Sequence, residues 1–216
     1  MRIHFLEDEG QYIAFDCDTL DIRTVSAEEK TKLEKEADGK DAFTEDTPDN
    51  LFSTLVLHVS NTCNLRCNYC FANHGNYHSK AGIMQPQTGI DAVETYYSKY
   101  DVIEEIKFFG GEPLCAPETI RAVAQHVTEK YNRGEIKELP VFRIITNGTI
   151  MDESIMEMIK EYQIKVIFSI DGPQELHDAM RVDGKEQGTY TRILENFKKL
   201  RVYTEGKQPQ GIDVTY

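Results

Sequence analysis

The sequence predicts an α/β protein in which a small strand-rich N-terminal segment precedes a larger domain built on a parallel sheet. From Leu51 onward, short runs rich in β-branched and aromatic residues alternate with longer amphipathic runs. This alternation is typical of βαβ units, which form parallel sheets through right-handed crossovers. Before Leu51 the chain carries 15 acidic and 6 basic residues, a net charge of −9, in short strand-like runs and one polar helix-like run.

The first 50 residues are predicted to form two or three short strands and then a polar helix. Ser26 is the expected N-cap of this helix, because its side-chain oxygen can accept a backbone N–H of the first turn. Gly39 is the expected end of the helix. The following Gly-, Asp- and Pro-containing stretch is typical of a linker. We therefore divide the chain into a segment of residues 1–50 and a domain of residues 51–216.

The larger domain is predicted to contain four β/α units and the first strand of a fifth. The expected strands cover residues 53–60, 103–109, 141–146, 165–170 and 211–216. The expected helices cover residues 85–100, 116–134, 152–162 and about 189–203. A parallel sheet of this kind is either a closed barrel or an open doubly wound sheet. Because a sheet that stops at its fifth strand exposes an edge, we expect the sequence to be part of a longer protein.

Composition argues against two classes of partner. There is no run of 18 apolar residues, so no transmembrane helix and no membrane partner are expected. The net charge of −13 argues against a nucleic-acid partner, which needs a basic surface. The N-terminus has no basic region followed by an apolar one, which indicates a cytoplasmic protein. Clustered thiols in that compartment bind metal more often than they form disulfides.

Three of the five cysteines fall within eight residues, as Cys63-x-x-x-Cys67-x-x-Cys70. A structural zinc ion takes four ligands, and His74 and His78 are near, but this spacing differs from that of zinc fingers. A zinc-stabilised binding module without catalysis stays open as an alternative. A 4Fe–4S cluster explains three thiols better, because three cysteines hold three irons and leave the fourth iron open for a ligand.

Each predicted strand also ends in a polar cluster. Residues 60–62 follow the first strand, and residues 110–113 follow the second. Residues 146–148 end the third strand, and residues 169–172 end the fourth. In a parallel sheet these ends share one edge, where such folds place their active sites. The sequence therefore predicts one site that combines these clusters with the three thiols.

The cysteine motif, with Tyr69 before its last cysteine, resembles the signature of radical S-adenosylmethionine (SAM) enzymes. The Gly-Gly-Glu-Pro sequence of residues 110–113 is similar to the second motif of that family. The resemblance covers about residues 51–216 and implies a partial (β/α)6 radical SAM barrel. It also implies two cofactors, a 4Fe–4S cluster with one open iron and SAM itself.

Further motifs resemble a subset of that family with a C-terminal SPASM or twitch extension. These are residues 146–148 and 169–173, followed by His177, Asp178 and Arg181. The subset includes anaerobic sulfatase maturases and enzymes that cross-link ribosomal peptides. Their further cysteines and last barrel strands are absent from this sequence, which again indicates C-terminal truncation. The first 50 residues weakly resemble the leader-peptide-binding modules of such enzymes.

The resemblance implies a role for each matching residue. Cys63, Cys67 and Cys70 would hold the cluster. Tyr69 would pack near the adenine of SAM. The remaining positions would contact the polar groups of SAM: the amine would be held by Gly110, Gly111 and Glu112, the ribose or carboxylate by Asn147, Ser169 and Asp171, and the carboxylate by Arg181. A guanidinium suits a carboxylate because it can bind both oxygens.

The implied function is the radical modification of a ribosomally synthesised peptide. The expected reaction is reductive cleavage of SAM to a 5′-deoxyadenosyl radical, followed by formation of cysteine thioether cross-links. The alternative with the same cofactors is a sulfatase maturase-like enzyme that forms formylglycine. The expected partners are a precursor peptide with a leader and an external reductant of the flavodoxin or ferredoxin type.

Overall fold

A computed structural model describes residues 3–8, 11–16, 19, 21–36 and 50–215. The chain divides into two units, Met1–Pro48 and Asp49–Tyr216. The first contains strands β1 (Ile3–Asp8), β2 (Gln11–Asp16) and β3 (Ile22–Val25) and helix α1 (Ala27–Glu36).

The strands of this first unit form an antiparallel sheet in the order β1-β2-β3. Ala14, Val25 and Leu33 make a small buried core between sheet and helix. Ser26 caps α1, since its Oγ accepts the backbone N–H of Glu29 at 3.1 Å. The helix end predicted at Gly39 lies outside the described residues.

The second unit is built on a five-stranded parallel sheet, as the sequence predicts. Its strands are β4 (Leu51–Ser60), β5 (Val102–Gly110), β6 (Val141–Thr146), β7 (Lys165–Ser169) and β8 (Gly211–Asp213). They lie side by side in chain order, β4-β5-β6-β7-β8. A doubly wound sheet reverses its strand order at a switch point, whereas the wall of a β/α barrel does not. The order therefore confirms the partial barrel.

Helices connect these strands and pack against one side of the sheet. They are α2 (Pro86–Tyr97), α3 (Pro117–Asn132), α4 (Glu153–Glu161), α5 (Gln174–Met180) and α6 (Tyr190–Tyr203), with a 3₁₀ turn at Pro113–Cys115. Sequence reasoning missed α5, which has only seven residues and directly follows turn-forming residues. Among the described residues, no helix combines the length and apolar character that a membrane crossing needs.

The two sides of the parallel sheet differ in their surroundings. Side chains alternate between the two faces of a strand. Phe108 and Ile144 are fully buried in the core that the sheet forms with the helices, and each contributes about 1.5–3 kcal/mol by burial. Their neighbours Phe109 and Ile145 belong to the opposite side, here called the inner face. The inner face is therefore the side that is free to receive a ligand.

Candidate functional site

A cavity of about 430 Å³ lies at the carboxyl ends of the strands of the parallel sheet. Its lining joins the loop that follows β4, here called the cysteine loop (residues 61–82), with the ends of β5 to β8. Ten of the eleven predicted site residues line it: Cys63, Cys67, Tyr69, Cys70, Gly110, Gly111, Glu112, Asn147, Ser169 and Arg181. Asp171 is not part of the lining.

Hydrogen bonds within the cysteine loop and from it to distant residues fix its shape. Arg66 donates from Nη1 to the carbonyls of Cys63 and Leu65, at 2.9 and 2.7 Å. The backbone N–H of Arg66 donates to the carbonyl of Val182, and that of Asn68 donates to the carbonyl of Met180. The loop that carries the three thiols is thus tied to the end of α5 and to the segment that follows it.

The thiols sit in a poorly solvated place. Cys63, Cys67 and Cys70 are half-buried and free. Burial raises the pKa of Cys63 to about 12 and also raises the pKa of Cys67. A thiol in such a site loses its proton when a metal takes the charge, so metal binding releases protons there.

The set of donors fits an iron–sulfur cluster with one open iron. Three thiols reach one cavity from one loop, and each would supply the ligand of a separate iron. Within the described part of the chain, no three His, Cys, Asp or Glu side chains form a group that could hold a single metal ion.

The cysteine loop touches the turn after β5 through two glycines. A Cβ on Gly111 would lie 2.5 Å from the carbonyl oxygen of Thr62 and 2.6 Å from the Cα of Gly75. The N–H of Gly111 donates to Ser60, and that of Glu112 donates to Thr62, at 2.8 and 2.9 Å. Sequence reasoning did not single out Gly75, whose only signal is its place shortly after Cys70.

We expect the substitution Gly111→Ala to lower the free energy of unfolding by about 1–3 kcal/mol, because its methyl group collides with backbone atoms that cannot move freely. Urea denaturation measures the change. Gly82→Ala is the matched control, since a Cβ there meets no atom within 4 Å. If the two variants were equally stable, the close approach at Gly111 would not constrain the fold.

Glu112 joins the ends of β5 and β6. The side chain is only 1% exposed. Its Oε1 accepts from the Thr146 hydroxyl at 2.7 Å and from the Leu114 N–H at 3.0 Å, and its Oε2 accepts from the Asn147 N–H at 2.8 Å. Burial raises the pKa of Glu112, against the effect of these donors. Glu112 thus positions the polar turn at the end of β6 in addition to lining the cavity.

Asn147 links the end of β6 to the cysteine loop by hydrogen bonds. Its Nδ2 donates to Asn64 Oδ1 at 3.0 Å and to Cys63 Sγ at 3.7 Å. Its Oδ1 accepts from the N–H and the hydroxyl of Thr149, at 3.0 and 2.7 Å. Hydrogen bonds to ligating sulfurs tune the reduction potential of iron–sulfur clusters. Sequence reasoning missed both partners: Asn64 occupies an unspecified position of the cysteine motif, and Thr149 directly follows the cluster of residues 146–148.

A buried ion pair closes the far side of the cavity. Arg181 donates from Nε and Nη2 to the two carboxylate oxygens of Asp171, at 2.7 and 3.2 Å. Asp171 also accepts from the Tyr69 hydroxyl and from the Thr215 N–H. Burial opposes ionisation of Asp171, but the bonds from Arg181 and Tyr69 outweigh it and lower its pKa.

The surroundings of this ion pair bear on two of the predicted site residues. Asp171 and Arg181 are both only 8% exposed, so Arg181 is a buried arginine. The guanidinium lies 5.4 Å from the centroid of the Tyr69 ring. The structure places Asp171 behind Arg181 and Tyr69, with its oxygens engaged by protein donors. Its direct contact with SAM stays a prediction, whereas its observed effect is to orient two cavity residues.

His177 holds the backbone of both residues of the ion pair. It is fully buried, and its Nδ1 accepts the backbone N–H of Asp171 at 3.2 Å. Its Nε2 pairs with the Thr189 hydroxyl at 3.1 Å, and that hydroxyl donates to the Arg181 carbonyl at 2.8 Å. These bonds require a neutral ring with its proton on Nε2. Burial and the charge of Arg181 lower the pKa of His177.

We expect His177 to make the fold less stable as the pH falls. Since its folded-state pKa lies below the unfolded value, its contribution is fully present above about pH 6.5 and is lost under more acidic conditions. Urea denaturation between pH 7 and pH 5 should show a steeper loss for the unsubstituted protein than for His177→Gln. His78→Asn removes an exposed histidine and should not change the slope. Equal slopes for all three proteins would contradict the role of His177.

Comparison with known proteins agrees with this geometry. The model of the Radical SAM superfamily matches residues 57–205. A cysteine-type anaerobic sulfatase-maturating enzyme from Clostridium novyi is 31% identical over 154 residues, covering 70% of this chain and 41% of that protein. The radical SAM cyclopropyl synthase TigE from Paramaledivibacter caminithermalis is 35% identical over 136 residues, covering 57% of this chain and 28% of that protein.

Solved structures show the same fold. The structure described as native anSMEcpe with bound AdoMet matches with a TM-score of 0.60 and 27% identity, covering 75% of this chain and 43% of that chain. The same protein with bound AdoMet and the Cp18Cys peptide matches with a TM-score of 0.59. This chain therefore spans less than half the length of these relatives.

These matches confirm the fold and the cofactors at the level of the family. The family binds a 4Fe–4S cluster and SAM, and the matched range includes the cysteine loop and the ends of β5 to β7, which line the cavity described above. The family model covers well over half of the chain. The chain belongs to the Radical SAM superfamily.

Proposed function

We propose that this protein cleaves SAM reductively and uses the resulting radical to modify a ribosomally synthesised peptide, forming thioether cross-links from cysteine. One observation carries the proposal. A single cavity is lined by three thiols from one loop, by two glycines at the end of β5 and by an arginine held in a buried ion pair. This combination is expected of a site that holds a cluster and a small zwitterionic cosubstrate together.

The roles of the chain's own residues follow from their contacts. Cys63, Cys67 and Cys70 would hold the cluster, which with SAM supplies a carbon radical that abstracts hydrogen from a substrate. Tyr69 would pack beside the adenine, and Arg181 would bind the carboxylate through Nη1, because its Nε and Nη2 already serve Asp171. Backbone oxygens of Gly110 and Gly111 would accept from the amine.

The remaining predicted contacts would complete the cosubstrate site. Asn147 and Ser169 line the cavity beside the ends of β6 and β7, where they can reach the ribose or carboxylate. Asp171 would act mainly by fixing Arg181 and Tyr69. The low exposure of these side chains supports water exclusion, which protects a radical from side reactions.

Formylglycine formation is the second candidate, and the comparisons favour it specifically. The Clostridium novyi relative is named as a cysteine-type anaerobic sulfatase-maturating enzyme. A matching solved structure holds a peptide with AdoMet. Both candidates start with hydrogen abstraction from a peptide, and they differ in the product at cysteine.

An external reductant and a precursor peptide with a leader complete the proposal. Residues 50–90 contain no Asp or Glu in a chain with 37 acidic residues. Arg66 and Lys80 are exposed there, and Phe71, next to Cys70, is 83% exposed. This charge pattern favours an acidic donor protein of the flavodoxin or ferredoxin type. In the first unit, β1 and β3 are the edge strands of the sheet that the described residues form, and an extended leader would add to one of them as a further strand.

Anaerobic incubation with SAM, dithionite and cysteine-containing peptides tests the function. The proposal expects 5′-deoxyadenosine together with a peptide lighter by two hydrogen atoms and resistant to thiol alkylation. An aldehyde that reacts with hydrazide reagents would instead support formylglycine formation. Tightly bound zinc, with no acid-labile sulfide and no cleavage of SAM after reconstitution, would favour the non-catalytic module and contradict the radical mechanism.

A further inference from the structure

A row of three cations crosses the inner face of the parallel sheet. Lys107 on β5 is in register with Arg143 on β6, and Arg143 is in register with Lys165 on β7. Neighbouring strands lie about 4.8 Å apart, so the three side chains start side by side at one level of the sheet. We call them the cation row.

The cation row lies next to the cavity, on the same face of the sheet. Lys107 and Phe109 are two residues apart and therefore share a face, as do Arg143 and Ile145. Phe109 and Ile145 line the cavity. The ammonium of Lys107 is 5.8 Å from the centroid of the Phe109 ring. The first lysine of the row therefore extends toward the cavity and not away from it.

The row has an excess of positive charge. Glu105 pairs with Arg143, with its Oε2 at 2.7 Å from Nη2 and 2.8 Å from Nε. Over residues 50–215 and the other described positions, no carboxylate lies within 4.0 Å of the ammonium of Lys107 or Lys165. Three cations and one carboxylate leave a net charge of +2 on this part of the inner face, in a chain with a net charge of −13.

This arrangement is unfavourable without an anion. Like charges directly opposite each other on neighbouring strands destabilise a sheet. The three side chains are also half-buried, so water screens their repulsion less than at an open surface. Since the guanidinium of Arg143 is already engaged by Glu105, the two lysine ammonium groups are the donors left for a ligand.

We propose that the cation row binds a carboxylate of the substrate peptide and thereby selects which residue reaches the reacting end of the cavity. This inference rests on the proposed peptide-modifying function. Gly111 lines the cavity together with the three thiols. Lys107 precedes it by four residues, which is about 13 Å along a strand. The side chain of Lys107 extends toward the cavity and shortens the distance between its ammonium and Gly111. An extended peptide advances about 3.3–3.6 Å per residue. The carboxylate therefore lies two to four residues from the modified residue.

Two sources of the carboxylate are possible in a peptide, an Asp or Glu side chain and the C-terminus. Both present the same oxygens to the lysines, and charge-assisted hydrogen bonds are stronger than neutral ones. Synthetic peptides separate the two. The probes are fluorescein-labelled ten-residue peptides with one cysteine and one Glu placed two, three, four or six residues away, each with a Gln counterpart and with free or amidated ends.

Fluorescence anisotropy with the reconstituted protein and SAM measures the binding of these peptides. The proposal expects the Glu peptides with spacings of two to four to bind about tenfold more tightly than their Gln counterparts. Lys107→Gln and Lys165→Gln should each remove most of this difference. Lys99→Gln is the matched control, since Lys99 is exposed after α2 and should keep the difference. Preference for a free C-terminus over an amide would identify the terminal carboxylate as the ligand.

Peptide-independent cleavage of SAM with dithionite separates the two levels of the proposal. Cleavage in both lysine variants at the unsubstituted rate shows that they are folded and competent. The carboxylate site would be overturned if the protein bound Glu and Gln peptides, and free and amidated ends, with equal affinity, or if it bound none of the peptides. Normal cleavage of SAM in the same experiment would leave the proposed function standing. If the reconstituted unsubstituted protein did not cleave SAM, the proposed function itself would be overturned.

Discussion

Substitution of Cys67 by alanine is expected to abolish binding of a complete cluster and with it the cleavage of SAM. In the proposed site each of the three thiols would be the protein ligand of one iron, so its loss would leave that iron without support. Loss of a group that merely contacts a metal ligand already costs about 10–100-fold in affinity or activity. We therefore expect formation of 5′-deoxyadenosine to fall by at least about 100-fold.

Iron and acid-labile sulfide, with EPR spectra of the reduced protein before and after addition of SAM, measure this effect. Cys115→Ala is the matched control. Cys115 is a half-buried free thiol near Cys63, but it does not line the cavity. The Cys115→Ala protein should still bind about four irons, and its EPR signal should still shift when SAM is added. A Cys67→Ala protein that kept both would show that the cysteine loop does not hold the cluster.

Substitution of Asp171 by alanine is expected to destabilise the fold by about 3–5 kcal/mol, because it leaves the buried guanidinium of Arg181 without its partner. The side chains of the pair are 10% and 5% exposed. Because the pKa of Asp171 is lowered in the folded state, its contribution is present above its unfolded pKa of about 3.9 and is lost as the pH falls further.

Urea denaturation of Asp171→Ala, compared with Glu161→Ala, measures this loss. Glu161 pairs with Arg121 at 3.4 Å, and its side chain is 51% exposed. Its removal should cost at most about 1 kcal/mol. The double variant Asp171→Ala/Arg181→Met should recover part of the loss, since it also removes the unpaired charge. If the double variant were no more stable than Asp171→Ala, the cost would come from packing and not from the buried charge.

Sequence reasoning predicted the parts of the site in which the function or the packing requires a particular residue type at a particular spacing. Cys63, Cys67 and Cys70 have the spacing of a cluster motif, and Gly111 is required where two backbones meet. The alternation of strands and helices predicted a parallel sheet but left two strand orders open. Only the observed pairing of neighbouring strands decided between them.

The parts that were missed depend on contacts between distant residues. Nothing in the spacing of Asp171, Tyr69 and Arg181 indicates that the carboxylate lies behind the other two side chains. Asn64 and Thr149 are 85 positions apart yet share a hydrogen bond of 2.7 Å. The cation row likewise cannot be recognised from the sequence alone, because its members lie on three strands and become neighbours only through the register of those strands.

The ties that hold the cysteine loop also determine when its thiols become protected. Asn68 donates from Nδ2 to the carbonyl of Ala179, a contact between residues 111 positions apart. A ribosome therefore exposes all three thiols long before residues 179–182 exist to hold them in place. A nascent chain passes through a period in which these thiols are open to oxidation and to the wrong metal. We therefore expect the cluster to assemble on the ordered loop only after residues 179–182 have been synthesised.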